Sequence, residues 1–190
     1  MKFFYIVLAT LLFSVTDAPA ADNGEALQKT FSKGFSYFYD FSNERRAIMP
    51  MSFVDENGKT STMEDYKGKL VILHFWATWC PPCVRELPLL NALRERQKGK
   101  DFVIVPISLD YGMKAERLVA FMKKHNLTGM PILTVPSEDK AWAQLTSFAL
   151  PVTFIVDPQG RILYKMMGDT SWANKDSVAF IDYLIANQKK

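Results

Sequence analysis

Apolar positions along the chain change their period several times, and each change predicts an element. The run LVILHFW, Leu70 to Trp76, is apolar at every position except His74. That is the pattern of a strand buried on both faces. Phe102 to Ser108 repeats it. Between them Leu87, Leu90 and Leu93 fall near helical spacing, predicting a helix to about Gln97 that Pro88 should kink. Lys114 to Lys124 puts Ala115, Leu118, Val119 and Met122 on one helical face, and Pro131 to Val135 reads as a short strand. Ala141 to Phe148 reads as a short helix. Val152 to Gly168 reads as a hairpin about the turn Asp157-Pro158-Gln159-Gly160. Ser177 to Asn187 closes the chain as a helix with Val178, Ile181, Leu184 and Ile185 inward. Upstream, Met51 to Asp55 meets the Asn57-Gly58 turn signal and starts another hairpin. This order predicts an α/β fold, a central mixed sheet with helices on both faces and a mixed edge.

Residues 21–49 lie outside that pattern as an N-terminal extension. Phe31, Phe35, Phe38 and Tyr39 have helical spacing, yet Phe35, Tyr37, Tyr39 and Phe41 alternate as a strand would. The stretch is either an arm packed on the domain or an aromatic docking surface, and burial of aromatic stripes favours the arm. Residues 1–20 differ again: Lys2, an apolar run from Phe3 to Val15, then Ala18 and Ala20 in an A-x-A arrangement. The run is shorter than the roughly 20 residues of a membrane span. It reads as a secretory signal peptide cut after Ala20, with an uncleaved anchor as the alternative. Either way the remaining chain, 50–190 in its main domain, is expected to be exported, periplasmic or membrane-anchored, in a compartment where disulfides persist.

Composition narrows the classes. The 190 residues are 48% hydrophobic and 23% charged, with a net charge of +3. These values suit one globular domain with a sizeable core. Basic residues are dispersed, with no block long enough to follow a phosphate backbone, so nucleic acid is not an indicated partner. The chemistry concentrates in HFWATWCPPCVRELP, His74 to Pro88, which holds both cysteines, Cys80 and Cys83. A structural zinc site usually takes four Cys or His ligands, and the two histidines, His74 and His125, have no local spacing to the pair. A structural disulfide across C-x-x-C closes too small a loop to stabilise much. A redox couple fits better. Pro81 and Pro82 suit the first helical positions, so Cys80 would sit at a helix N-terminus, where amides and the helix dipole stabilise a thiolate. Cys83, one turn on, would resolve the mixed disulfide.

With these residues in place, the strand–FWATWCPPC–helix unit resembles thioredoxin-fold proteins. GKLVILHFWATWCPPCVRELP is similar to the exported TlpA/ResA branch of thiol–disulfide oxidoreductases. The resemblance runs from about Pro50 to Ile185. FVDENGKT and DYKGK are like that branch's N-terminal β-hairpin. Ala149 to Phe154 resembles its cis-proline loop, and Gly168 to Trp172 a following segment. The resemblance implies a thioredoxin-like fold with a central insertion, and it implies roles. Cys80 would attack, Cys83 resolve, and Trp79 shield the disulfide. Pro81 and Pro82 would join the client surface. Pro151 would be cis, with the Leu150 backbone free to pair with a substrate chain. Glu86, three residues after Cys83, matches a glutamate that ResA-like members place near the cysteines and could exchange a proton with Cys83; otherwise it is a solvated acid paired with Arg85 or Asn91. One position departs from the pattern: His74 stands where classical thioredoxins carry a buried aspartate. It reads as a core histidine with one satisfied hydrogen bond, with a proton relay as the alternative.

The expected function is therefore a disulfide reductase, a monomer whose redox centre is the Cys80–Cys83 pair, with no further cofactor and no metal. Electrons would come from a membrane thiol reductase. Client disulfides would belong to cytochrome c or to respiratory oxidase copper-site assembly. The alternatives are a disulfide-forming oxidant of exported proteins and a copper-binding chaperone.

Overall fold

The computed structural model describes residues 20–44, 46–127, 129–136 and 149–188. Of the predicted leader 1–20 only Ala20 lies within them, and the predicted helix 141–148 lies outside. Helix α1 spans Ala20–Ser32, followed by β1 Tyr37–Asp40, β2 Ser52–Asp55 and β3 Thr60–Thr62. A 3-10 turn, Met63–Tyr66, leads to β4 Leu70–Trp76, α2 Pro81–Arg96, β5 Phe102–Ser108 and α3 Ala115–Lys124. Then come β6 Leu133–Thr134, β7 Val152–Val156, β8 Ile162–Met167 and α4 Lys175–Asn187. The eight strands form one sheet in the order β1-β8-β7-β4-β5-β6-β2-β3. The chain thus has the expected α/β architecture, a mixed sheet with flanking helices.

The centre of that sheet follows from the apolar runs. All seven residues of β4 are buried, and burying each large apolar side chain is worth roughly 1.5–3 kcal/mol. β4 and β5 pair in parallel, a connection that requires a crossover, and α2 supplies it. β7 pairs β4 antiparallel from the other side. Alternation then sorts the side chains. Leu70, Ile72 and Trp76 face one core with Leu87, Leu90 and Leu93 of α2 and Phe180, Ile181 and Leu184 of α4. Val71, Leu73 and Phe75 face a second core with Val105, Phe154, Met51 and Met63. His74 shares the first face, the one that α2 covers. α2 runs through Pro88 without a break.

The N-terminal extension resolves its two periods by using both. α1 ends at Ser32, and the glycine at 34 begins a reversal into β1. β1 lies antiparallel on β8, with Tyr37 opposite Met167 and Phe38 opposite Met166. Phe31, Phe35 and Phe38 turn onto the first core, whereas Tyr37 and Tyr39 are exposed. The arm is packed on the domain, with an aromatic outer edge.

Candidate active site

The cysteine turn begins where β4 ends. Thr78 is pinned there, because its N–H and hydroxyl donate to Asp110 at 2.9 and 2.7 Å. The Ser108 hydroxyl donates to the same carboxylate at 2.7 Å. This clamp joins the turn to the end of β5 and fixes the backbone two residues before Cys80. Cys80 is the N-cap of α2, with extended backbone at φ −100° and ψ 98°. A helix start normally leaves several amides unpaired. Here Pro81 and Pro82 remove two of them, so fewer amides surround Cys80 than a helix start ordinarily offers. The first amide within the helix, that of Cys83, donates to Cys80 Sγ at 3.4 Å.

The two sulfurs are bonded, with their Cα atoms 5.3 Å apart. Cys80 is 5% exposed and Cys83 0%. Only Cys80 therefore offers an edge to a partner. Trp79, 69% exposed, stands beside it, with Pro81 exposed and Pro82 half-buried. The Leu150–Pro151 peptide is cis. The register of β7 on β4 ends with Val152 opposite Phe75, which puts Pro151 at the end of the sheet where the cysteine turn leaves it. Leu150 is half-buried at that rim.

Glu86 is inside the protein, 1% exposed. It lies three residues beyond Cys83, on the same face of α2. Its Oε1 accepts from the Trp172 indole N–H and, at 3.3 Å, from the Thr170 amide. Its Oε2 is buried with no partner. Burial raises the carboxyl to about 8; the two hydrogen bonds oppose the rise and the charge of Asp169 adds to it. The solvated alternative fails on position: Arg85 pairs instead with Asp169 at 2.9 Å, and Asn91 accepts from Arg94. His74 is also fully buried. Its Nδ1 bonds the Thr153 hydroxyl directly across the β4–β7 ladder at 2.9 Å, and its Nε2 has no partner. Burial lowers its pKa to about 3, so the ring is neutral at neutral pH.

This arrangement can perform thiol–disulfide exchange. It has an accessible sulfur at a helix start, a buried second sulfur, and a carboxyl whose pKa of about 8 lies close to that of a thiol, near 8.5. A proton can pass between such groups in either direction at small cost. The described residues hold no group of three or more His, Cys, Asp or Glu placed to bind a metal ion.

Comparison with known proteins agrees with that geometry. Residues 40–165 match the AhpC/TSA family. The chain belongs to this family. It is 32% identical over 115 residues to the thiol-disulfide oxidoreductase ResA of Bacillus cereus, covering 60% of this chain and 64% of that one. It is 30% identical over 135 residues to the ResA of Geobacillus kaustophilus, covering 68% of this chain and 75% of that one. The chain therefore spans a little under two thirds of the first of these relatives. Among solved structures it is similar to a DsbF homologue from Corynebacterium diphtheriae, with TM-score 0.61 and 28% identity, over 77% of this chain and 90% of that one. The family match contains the cysteines, Glu86 and Pro151. It stops short of α1 at one end and of Thr170 and Trp172 at the other.

In this AhpC/TSA member several site residues escaped the sequence pattern. Asp110 and Ser108 carry the clamp on Thr78. The signal for them was a lone carboxylate directly after a buried strand, where an acid needs donors. Thr170 and Trp172 hold Glu86 from 84 and 86 residues away, and no local period could link them.

Proposed function

We propose that the chain is an exported thiol–disulfide oxidoreductase that works as a reductant. The observation that carries the oxidoreductase part of this reading is the buried Glu86 carboxyl one turn beyond the buried Cys83, behind an accessible Cys80. In the reduced protein the Cys80 thiolate attacks a client disulfide R–S–S–R′. A Cys80–S–S–R bond forms and R′–S⁻ leaves. Cys83 gives its proton to Glu86 and attacks Cys80 Sγ, which releases R–S⁻. The client gains two electrons, and the protein is left with the Cys80–Cys83 disulfide. When a donor dithiol reduces that disulfide, protonated Glu86 returns its proton to the Cys83 thiolate. Trp79, Pro81 and Pro82 form the rim against which the client lies. The Leu150 backbone beside Pro151 offers it strand-like pairing.

In this reading the leader directs the chain out of the cytoplasm, and a membrane thiol reductase supplies the electrons. The clients are cysteine pairs of cytochrome c or of a respiratory oxidase copper site awaiting their metals. The ResA names of the relatives support the oxidoreductase class. Glu86 can serve exchange in either direction, so the reductant direction is carried by the likeness to ResA and is decided by the reduction potential of the Cys80–Cys83 pair. Reduced full chain should reduce insulin disulfides, Cys80→Ser should abolish the activity, and Cys83→Ser should trap a mixed disulfide through Cys80. Failure of the reduced wild type to reduce insulin or an apocytochrome c disulfide would sink the reading.

A further inference from the structure

Both hydrogen bonds on Glu86 come from residues that the N-terminal arm touches. Trp172, the first donor, is packed by two arm rings: Phe31 at 5.8 Å between centroids and Phe35, edge-on, at 5.4 Å. Phe31 is itself buried and stacked on Phe180 at 4.6 Å, so its position is fixed from α4. Thr170, the second donor, meets the arm backbone. A Cβ added at Gly34 would fall 2.4 Å from the Thr170 hydroxyl, so any larger residue there must displace Thr170. The loop is held at its start as well. Tyr37 pairs with Met167, the last residue of β8, and a Cβ at Gly168 would lie 2.7 Å from Ser36 Oγ. Gly168 has φ +93°, and its amide donates to the Pro151 carbonyl at 3.2 Å. The 168–172 loop thus carries arm contacts on one side, and Glu86 and the cis-proline on the other.

We propose that residues 31–38 are a positioning element of the redox site: by clamping the 168–172 loop they hold the donors on Glu86, keep water from it, and so set how readily it exchanges a proton with Cys83. The inference rests on the oxidoreductase reading for its use, but not for its geometry. It assigns a task to a segment that wholly precedes the family match. Desolvation is the largest influence on Glu86, so loosening the cover should carry its titration toward the ordinary glutamate range. The charged or titratable groups around it are few. Asp169 shares the loop and is paired with Arg85, Cys80 and Cys83 are on its own helix, and alternation along β4 puts His74 on the sheet face that this helix covers. The arm residues that meet Trp172 and Thr170 are Phe31, Phe35 and Gly34, none of them charged.

The test is the titration of the Glu86 side-chain carboxyl by ¹³C NMR in the full chain, for wild type, Phe31→Ala/Phe35→Ala and Tyr39→Ser. The double variant should titrate roughly one pH unit or more below wild type. The pH profile of its insulin reduction should move with it. Tyr39→Ser, altered at an exposed side chain beyond the clamping residues, should leave both in place. If the double variant does not fold, Gly34→Ala, which presses most closely on the Thr170 hydroxyl and less on the Phe31 carbonyl, should produce the same downward movement. A Glu86 titration that is unchanged or raised in the folded variant overturns the proposal. The two readings fail separately: a wild type inactive on insulin removes the oxidoreductase reading, while the carboxyl titration still reports on the arm.

Discussion

Two buried carboxylates flank the cysteine turn, and they are treated in opposite ways. Asp110 is 8% exposed, and both of its oxygens are occupied, by the Thr78 amide, the Thr78 hydroxyl and the Ser108 hydroxyl. Glu86 is 1% exposed, and only one of its oxygens has donors. Burial costs a carboxylate its hydration in both places. Full pairing returns that cost and makes Asp110 a fixed anchor for the backbone before Cys80. Partial pairing leaves Glu86 able to hold or release a proton near the pKa of a thiol. The same residue chemistry, at two ends of one turn, yields a structural clamp and, in the proposed reading, a proton carrier, and the number of donors makes the difference.

That contrast can be broken most strongly at Glu86. Glu86→Gln keeps the acceptor for Trp172 but cannot carry a proton. Resolution of the mixed disulfide should slow on the order of 10²-fold, the lower end of general acid–base effects. Stopped-flow Trp fluorescence with an excess of a peptide disulfide measures it. An unchanged rate would place the proton transfer elsewhere. Asp110→Ala should act on the other property. It strands the Thr78 amide and hydroxyl, so folding stability in urea should fall by about 2 kcal/mol. Its pH profile of exchange should keep the wild-type inflection. A shifted inflection would mean that Asp110, too, takes part in proton transfer.

The dependence of stability on pH sharpens the same comparison. The folded Glu86 carboxyl titrates at about 8, and the unfolded one near 4.3. Between those values the folded protein binds the extra proton, so stability falls as pH rises through this window and levels off above it. Glu86→Gln should lack that fall. His74 gives the mirror image on the acid side. Its folded pKa of about 3 lies below the ordinary 6.5, so the unfolded chain binds the extra proton and stability falls as pH drops from about 6.5 toward 3. His74→Asn should flatten that acid limb in urea titrations at several pH values, and a limb retained in the variant would assign it to other groups. The smallest effect belongs to Arg85→Ala. Its bridge to Asp169 is exposed on both sides, with side-chain exposures of 65% and 44%. Stability should change by less than about 1 kcal/mol.

How much of this was visible in the sequence varies with range. The β4 run, the Pro-Pro start of α2, and the hairpins at Asn57-Gly58 and Asp157–Gly160 are local signals and occur where their periods place them. The aromatic arm was ambiguous for a physical reason. Its helical and alternating periods overlap at Phe35 and Tyr39, and only the end of α1 at Ser32 and the tight approach of Gly34 to Thr170 separate them. The strand order, with β1 on β8 and the β2–β3 hairpin beyond β6, depends on pairings between distant segments that no local pattern records. The same holds within the site. Cys80, Cys83 and Glu86 share one helix and were legible together. Asp110, Thr170 and Trp172 reach them only through tertiary packing, and they decide what each carboxylate does.

The most direct single measurement is the equilibrium reduction potential of the Cys80–Cys83 pair, followed by Trp fluorescence in glutathione and dithiothreitol buffers. For a reductant of exported proteins a value near or below roughly −270 mV is expected, the range of thioredoxin. A value near roughly −120 mV, the range of strong disulfide-forming oxidants, would contradict the reductant reading and reverse the proposed flow of electrons.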